Sequence, residues 1–353
     1  MKILIVGSYS HWNALEKHYV KYLSNYYTMD LYSFPDHIDS FRKKNIFNRI
    51  RYRFKLAIKK FLHNENLNLY NYIKNEKIDL VWIFKGLDIY PETLSKISKL
   101  GIKIINFNPD HPFIRTFKSG GGKEIEQCLP LYDLYLCYSN DLIKEIENRY
   151  SGGVKTAFLP FGFELSDALY NNIESDSILK EEKLKVCFIG NPDNELRRKT
   201  LNHIIENKIK LDIYGTNWDK FIKDSEYVRI FPGVYGDDYW RTLRDYRVQL
   251  NIFRPHNFNS HNMRTFEIPA VGGIQLAPWS DEHNMFFQND DDIFLYKSDD
   301  DMIAKIKLLL ELDKSKSDHI RIKARDKCLK AGYSYSDIAK SLVTIFDELY
   351  QKK

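Results

Sequence analysis

The chain has 353 residues, 43% of them hydrophobic, and a net charge of +5. This is enough apolar content for two ordinary domains with real cores. No apolar run reaches the roughly 18 residues of a membrane span, and Met1–Gly7 is too short for a signal peptide. Cys128, Cys137, Cys187 and Cys328 lack metal-type spacing, which argues against zinc and disulfide frameworks and points to a reduced, cytoplasmic protein.

Taken in chain order, the N-terminal half alternates strand-like and helix-like runs. Strands are expected at Lys2–Val6, Met29–Phe34, Leu80–Phe84, Lys103–Asn108, Leu134–Tyr138 and Thr156–Pro160. Helices are expected near Asn13–Leu23, Phe41–Leu62, Pro91–Leu100 and Leu142–Arg149. Polar, aperiodic residues 166–183 read as a linker, which closes a first domain at 1–165. The alternation restarts with strands at Lys185–Ile189, Leu211–Tyr214, Val228–Phe231, Gln249–Phe253, Gln275–Ala277 and Ile293–Tyr296. Arg197–Ile205, Met302–Leu312 and Ile320–Ala331 read as helices of a second domain at 184–333. An amphipathic helix at Tyr335–Tyr350, within a terminal segment 334–353, is expected to cross back to the first domain. The expected fold class is therefore α/β, two Rossmann-like doubly wound domains facing a central cleft where a ligand binds.

The positive charge is concentrated. Nine basic residues and no Asp or Glu lie between Ser40 and Asn64, in a protein whose remainder is mildly acidic. Within Phe41–Leu62, apolar residues including Phe47 and Phe54 recur at helical spacing, and cations such as Arg49, Arg51, Arg53 and Lys55 fill the other positions. A basic amphipathic helix of this kind suits the interface of an anionic membrane; a helix packed on its domain with a solvated basic face is the competing reading. No recognition fold accompanies the charge, so nucleic acid is not an expected partner.

The segment His261–Leu276 reads as a loop, a short helix, a Gly-Gly break and a buried strand. Arg264 and Glu267 are three residues apart and share a helix face. The N–H groups of Asn262, Met263 and Arg264 open that helix, where anions are favoured. A cation and a carboxylate so placed suit a ligand with an anionic diphosphate and a diol, such as a nucleotide-sugar; a surface ion pair on an ordinary helix is the alternative.

From about Lys185 to Leu349 the chain resembles the C-terminal domain of the spore-maturation-type (CgeB-like) glycosyltransferases, relatives of the large glycosyltransferase family 4 with the two-Rossmann GT-B fold. The resemblance is carried, in order, by Phe188-Ile189-Gly190, by Leu211–Gly215 with Trp218, by Phe231-Pro232-Gly233-Val234-Tyr235-Gly236 and by Gln249–Ile252. The block from Asn262 through Arg264, Phe266, Glu267 and Ala270 to Gly272-Gly273 follows, and then Gly332-Tyr333-Ser334-Tyr335. The N-terminal half matches more loosely, through Phe107–Phe113 and Leu159–Gly162.

The resemblance implies a hexosyltransferase-type enzyme of polysaccharide biosynthesis. It would bind a nucleotide-diphosphate-sugar co-substrate in the C-terminal domain and a glycan or lipid-linked acceptor in the N-terminal one. Glu267 matches the carboxylate that takes the ribose hydroxyls, an acceptor-only group when ionised. Arg264 would face the diphosphate. Gly190 would let the backbone approach phosphate, and Arg197 or Arg198, the latter the candidate, would supply a second cation or else stay solvated. Tyr235 lines the nucleobase pocket or packs its own turn; Gly7 turns the chain into the cleft or touches the donor.

Asp110, ahead of His111, follows a strand's carboxyl end and is the candidate base for the acceptor hydroxyl; a turn cap at Pro109–Pro112 is the rival role. No metal or other cofactor is expected, because helix termini and arginines offset diphosphate charge in this fold and no Asp-x-Asp occurs between strands. Gly120-Gly121-Gly122-Lys123 is not a Walker loop, since Glu124 follows. Family 4 enzymes often place a Glu eight residues before the ribose-binding one, where this chain has Asn259. That departure keeps two other readings open, a non-catalytic nucleotide-sugar-binding protein and a nucleotide-sugar epimerase. The expected location is the cytoplasm, peripheral at the inner membrane face.

Overall fold

Strand β3 (Leu80–Phe84), Leu-Val-Trp-Ile-Phe, is buried at every position, the pattern of a central parallel strand covered on both faces. Around it the computed structural model, which describes residues 1–9, 14–53, 58–114, 121–166, 169, 181–254 and 259–351, builds the first of two compact units, Met1–Pro160 with Tyr335–Lys353. Its other strands are β1 (Lys2–Val6), β2 (Thr28–Tyr32), β4 (Lys103–Phe107), β5 (Leu134–Cys137) and β6 (Thr156–Phe158). All pair in parallel in the order β2-β1-β3-β4-β5-β6. The helices are α1 (Leu15–Leu23), α2 (Phe34–Lys43), α3 (Ile46–Arg53), α4 (Lys59–Asn75), α5 (Pro91–Ser98), α6 (Lys123–Cys128) and α7 (Asn140–Tyr150).

The single helix expected over Phe41–Leu62 is corrected to three. Asn45 ends the run: its Oδ1 accepts from Asn48 N at 2.8 Å, and Asn48 Nδ2 donates back to the Phe41 carbonyl at 3.1 Å. An Asn side chain at that point satisfies the orphan N–H of a new helix, so α3 begins afresh. Helix α4 then runs to Asn75 and is anchored by buried Asn66. That amide accepts from Tyr90 N and Thr93 Oγ1, both at 2.9 Å, and so caps the start of α5.

The second unit is Phe161–Ser334. Its strands are β7 (Lys183–Ile189), β8 (Leu211–Tyr214), β9 (Val228–Phe231), β10 (Tyr246–Leu250), β11 (Gln275–Pro278) and β12 (Phe294–Tyr296). They form a parallel sheet in the order β12-β11-β10-β7-β8-β9. Helices α8 (Glu195–Glu206), α9 (Gly236–Asp245), α10 (Arg264–Ala270), α11 (Asp281–Phe286), α12 (Asp299–Glu311) and α13 (Lys314–Lys330) complete the unit. The core beside this sheet joins Val186, Phe188, Leu201, Ile213, Trp218, Leu250, Leu276 and Ile306. The last helix, α14 (Tyr335–Gln351), belongs to the first unit, where the Tyr335 ring stacks on His18 at 4.7 Å and Tyr27 Oη donates to Asp347.

A buried charge cluster ties the second unit together. The Glu182 carboxylate accepts from Arg247 Nη2 at 2.6 Å and from Arg321 Nη2 at 2.6 Å. Arg321 also donates to the Arg244, Tyr246 and Gly272 carbonyls, which closes α13 onto the Gly-Gly break after α10. Gly272 there has φ +72°, and a Cβ on Gly273 would lie 2.6 Å from the Leu243 carbonyl oxygen, so the first needs left-handed backbone and the second a close approach.

Candidate functional site

In an open α/β sheet, ligands settle outside the carboxyl ends of the strands where the strand order reverses direction. In the second unit that switch point lies between β7 and β10. Chain leaves it as Gly190-Asn191 on one side and Asn251-Ile252 on the other. Helix α10 packs its first turn beside it. Asn262 forms a reciprocal amide pair with Asn251, 3.1 and 2.8 Å, and its Oδ1 accepts from Thr265 N at 3.2 Å. Met263 is the residue before the helix, and its carbonyl accepts from the Phe266 and Glu267 N–H groups.

Arg264 and Glu267, one turn apart on α10, form an ion pair at 2.9 Å. Tyr239 of α9 completes it. Its hydroxyl donates to Glu267 Oε2 at 2.5 Å and accepts from Arg264 Nη1, and the guanidinium lies over its ring at 4.8 Å. Arg264 Nη2 donates to the Ile189 carbonyl at the end of β7, 3.2 Å away. Burial works against the Arg264 charge, but Tyr239 and Glu267 outweigh it and hold the guanidinium above its ordinary range. These contacts use Glu267 Oε2; Oε1 takes no part in them.

Two more arginines approach the same strand ends. Arg197, at the start of α8, donates to the Asn191 carbonyl at 3.1 Å and the Ile252 carbonyl at 3.3 Å, and thus bridges the two sides of the switch point. A Cβ on Gly190 would lie 3.5 Å from its Nη1. Burial, with the charges of Arg254 and Arg264 nearby, pushes Arg197 down to about 10. Arg254 reaches Asp193 at 3.4 Å, and the same carboxylate stands 3.7 Å from Arg197. Arg198 instead lies over the Phe221 ring at 4.5 Å, so Arg197 is the cation beside Gly190. Tyr235 is exposed, and its hydroxyl lies against Gly233.

The loop before α10 is braced from α11. Glu282 Oε2 accepts from His261 Nδ1 at 2.6 Å and Ser260 Oγ at 2.8 Å, while His261 Nε2 accepts from Phe161 N at 3.1 Å. His283 Nε2 accepts from Thr265 Oγ1 at 2.8 Å; its Nδ1 serves the Pro278 carbonyl, and burial lowers this imidazole to about 3. Asn259, in left-handed backbone at φ +58°, accepts from Asp281 N at 2.8 Å and donates to the Asp281 carboxylate at 3.0 Å.

At the carboxyl edge of the first unit's sheet, Asp110 is buried and pairs with Lys85 Nζ at 2.9 Å. Lys85 directly follows β3 and holds φ +60°, an uncommon conformation for a side-chain-bearing residue. Asn108 Oδ1 accepts from Asp110 N at 3.0 Å and caps this turn. His111 uses both ring nitrogens: Nδ1 accepts from Phe113 N at 3.4 Å and Nε2 meets Glu145 at 3.2 Å. Burial lowers its basicity; Glu145 opposes that shift and Arg149 adds to it. Gly7 follows β1, and a Cβ there would lie 2.5 Å from the Glu16 carboxylate, which accepts from Ser8 N at 2.8 Å. Desolvation raises the Glu16 carboxyl above its ordinary value.

On α3, Phe47, Arg49 and Arg51 are exposed; Phe54, Lys55 and the Arg53 side chain lie outside the described residues, as do Gly120 and most of the expected linker. Among the described residues no group of three or more His, Cys, Asp or Glu gathers in a metal-like cluster, and no helix is long and apolar enough to cross a membrane. All four cysteines are buried free thiols.

A family model described as glycosyl transferase-like matches residues 197–344, which takes in most of α8, the Arg264/Glu267 pair and most of α14. No curated protein matches the chain in sequence. Among solved structures, a glycosyltransferase from Rickettsia africae superposes with a TM-score of 0.68 at 12% identity, covering 100% of this chain and 99% of its own. The α,α-trehalose 6-phosphate synthase of Burkholderia multivorans gives 0.64 at 12% identity over 99% of both chains. Anabaena HepE, solved with UDP, gives 0.65 at 10% identity, covering 99% of this chain and 100% of that one.

The fold is GT-B.

Sequence reasoning about this GT-B chain missed Tyr239, Lys85 and Arg254. Tyr239 carries no local signal, because its partners lie 25 and 28 residues away. Lys85 did leave a trace, a lone cation ending an unbroken apolar strand.

Proposed function

We propose that this GT-B protein is a metal-independent hexosyltransferase of the spore-maturation type. It moves a sugar from a nucleotide-diphosphate donor to a hydroxyl of a lipid-linked or cell-surface glycan. The observation that carries the reading is the convergence of Arg264, Glu267, Arg197 and the Asn262 turn on the β7/β10 switch point. Guanidinium groups there suit a diphosphate and its developing charge as it leaves. The second oxygen of Glu267 suits the ribose hydroxyls. In the transfer, the acceptor oxygen bonds to the anomeric carbon, the bond from that carbon to the diphosphate breaks with its electron pair leaving on the nucleotide, and Asp110 takes the acceptor proton. HepE has been solved with UDP-glucose, which supports a nucleotide-sugar donor.

The alternative is a binding protein without turnover. Asn259 favours it, because the position where family 4 enzymes often carry a Glu here holds an amide spent on Asp281. Titration calorimetry with nucleoside diphosphates tests the donor site. Glu267→Ala is expected to weaken binding by about 1.5–3 kcal/mol, the worth of hydrogen bonds to a charged group. Unchanged affinity in the folded variant overturns the assignment, and tight binding without nucleotide release in the wild type selects the alternative.

A further inference from the structure

Helix α3 is built inside out. Its polar residues Asn48 and Tyr52, one turn apart, face the domain: Asn48 is buried on the Phe41 carbonyl, and Tyr52 Oη donates to Asp88 at 2.5 Å. Its apolar residues face away, with Ile46 60%, Phe47 70% and Ile50 45% exposed. At about 100° per residue, these three span one continuous arc, with Arg51 on one flank and Arg49 on the other. A helix packed for stability alone points its apolar stripe at the core. Neighbouring α2 does so with Phe34 and Ile38.

The charge around this arc has one sign. Arg42 and Lys43 share a single carboxylate, Asp39, at 2.8 and 3.7 Å, while Lys44, Arg49 and Arg51 are exposed on a stretch without any acidic residue. Arg42 lies over the Tyr52 ring at 4.9 Å, on the inner side of the helix, so the cations flanking the apolar arc are Arg49 and Arg51.

We propose that the outward face of α3 is a docking surface for an anionic lipid bilayer, with Ile46, Phe47 and Ile50 entering the interface and Arg49 and Arg51 meeting lipid phosphates. An apolar centre with a cationic rim and a polar, anchored back is the arrangement of a helix lying in the plane of a membrane surface. The arc accounts for the part of binding that salt does not screen, and the arginines account for the preference for anionic lipid. This surface is independent of the donor site, so its failure would leave the transferase reading untouched.

The test is sedimentation of the full chain with vesicles of phosphatidylcholine alone or with about one-third phosphatidylglycerol. Wild type is expected to bind only the anionic vesicles and to keep part of its binding at high salt. Arg49→Gln with Arg51→Gln should lower partitioning about thirtyfold, the effect of two cations at an anionic surface. Phe47→Ser with Ile50→Ser should remove the salt-resistant part. Both variants change exposed side chains, and unchanged nucleotide affinity would verify that they fold. Equal binding to both vesicle types, or to neither, overturns the proposal. So does concentration-dependent dimerisation, or binding of single-stranded RNA, that the variants abolish while vesicle binding is absent.

Discussion

Lys85 Nζ stands 2.9 Å from Asp110 Oδ2, and the two residues leave neighbouring strands β3 and β4 on the same sheet edge. The pair gives this buried carboxylate a cationic partner close to the first sheet's own reversal point between β1 and β3. The Asp110 backbone N–H is taken by Asn108 Oδ1, so the turn holds a cap besides the Asp110 carboxylate.

Asp110→Asn is therefore expected to fold normally, since an amide keeps the size and one acceptor toward Lys85. Turnover should fall by about 10²–10⁴-fold while donor affinity stays nearly unchanged, as for loss of a general base. Steady-state nucleotide release measures the first and calorimetry the second. Wild-type turnover in the variant would assign Asp110 to structure.

Tyr239→Phe removes one hydroxyl that serves both Glu267 and Arg264. The ring and its contact with the guanidinium remain, and the two lost hydrogen bonds orient the pair without touching the donor, so donor affinity should fall by about 0.5–1.5 kcal/mol. Calorimetry with the donor nucleotide checks it. A loss larger than that of Glu267→Ala would mean the tyrosine, and not the carboxylate, leads the site.

Glu182→Ala should destabilise the protein by about 3–5 kcal/mol in chemical denaturation, because Arg247 and Arg321 would be left buried without their carboxylate. Burial opposes ionisation of Glu182, yet the two arginines outweigh it and hold the carboxyl below its ordinary 4.5. A depressed carboxyl stabilises fully above the unfolded value and loses that contribution as pH falls through the folded one. Stability should thus drop below about pH 4.5, and Glu182→Gln should flatten that limb. An unchanged acid limb would refute the coupling.

The periodic runs of this chain carried its architecture. Leu80–Phe84 and Leu211–Tyr214 occur as strands where their apolar pattern placed them, because burial leaves little freedom in such segments; Val228–Phe231 does so at the sheet edge, with Val228 buried. The spacing of Arg264 and Glu267 also put them together, since helix geometry is local. Other features were decided by tertiary packing. Periodicity over Phe41–Leu62 showed that apolar and basic residues segregate, but not that Asn45 breaks the run or that Asn48 and Tyr52 take the inner face. The choice of Arg197 over Arg198 depends on where α8 sits against the Ile252 carbonyl. Tyr239 and Lys85 joined their carboxylates only through strand order and helix packing. Which segments bury and which residues share a helix turn was legible in the chain, because both follow from short-range periodicity. Only the three-dimensional arrangement decided which charges meet across elements, because strand order and helix packing bring together residues far apart in the chain.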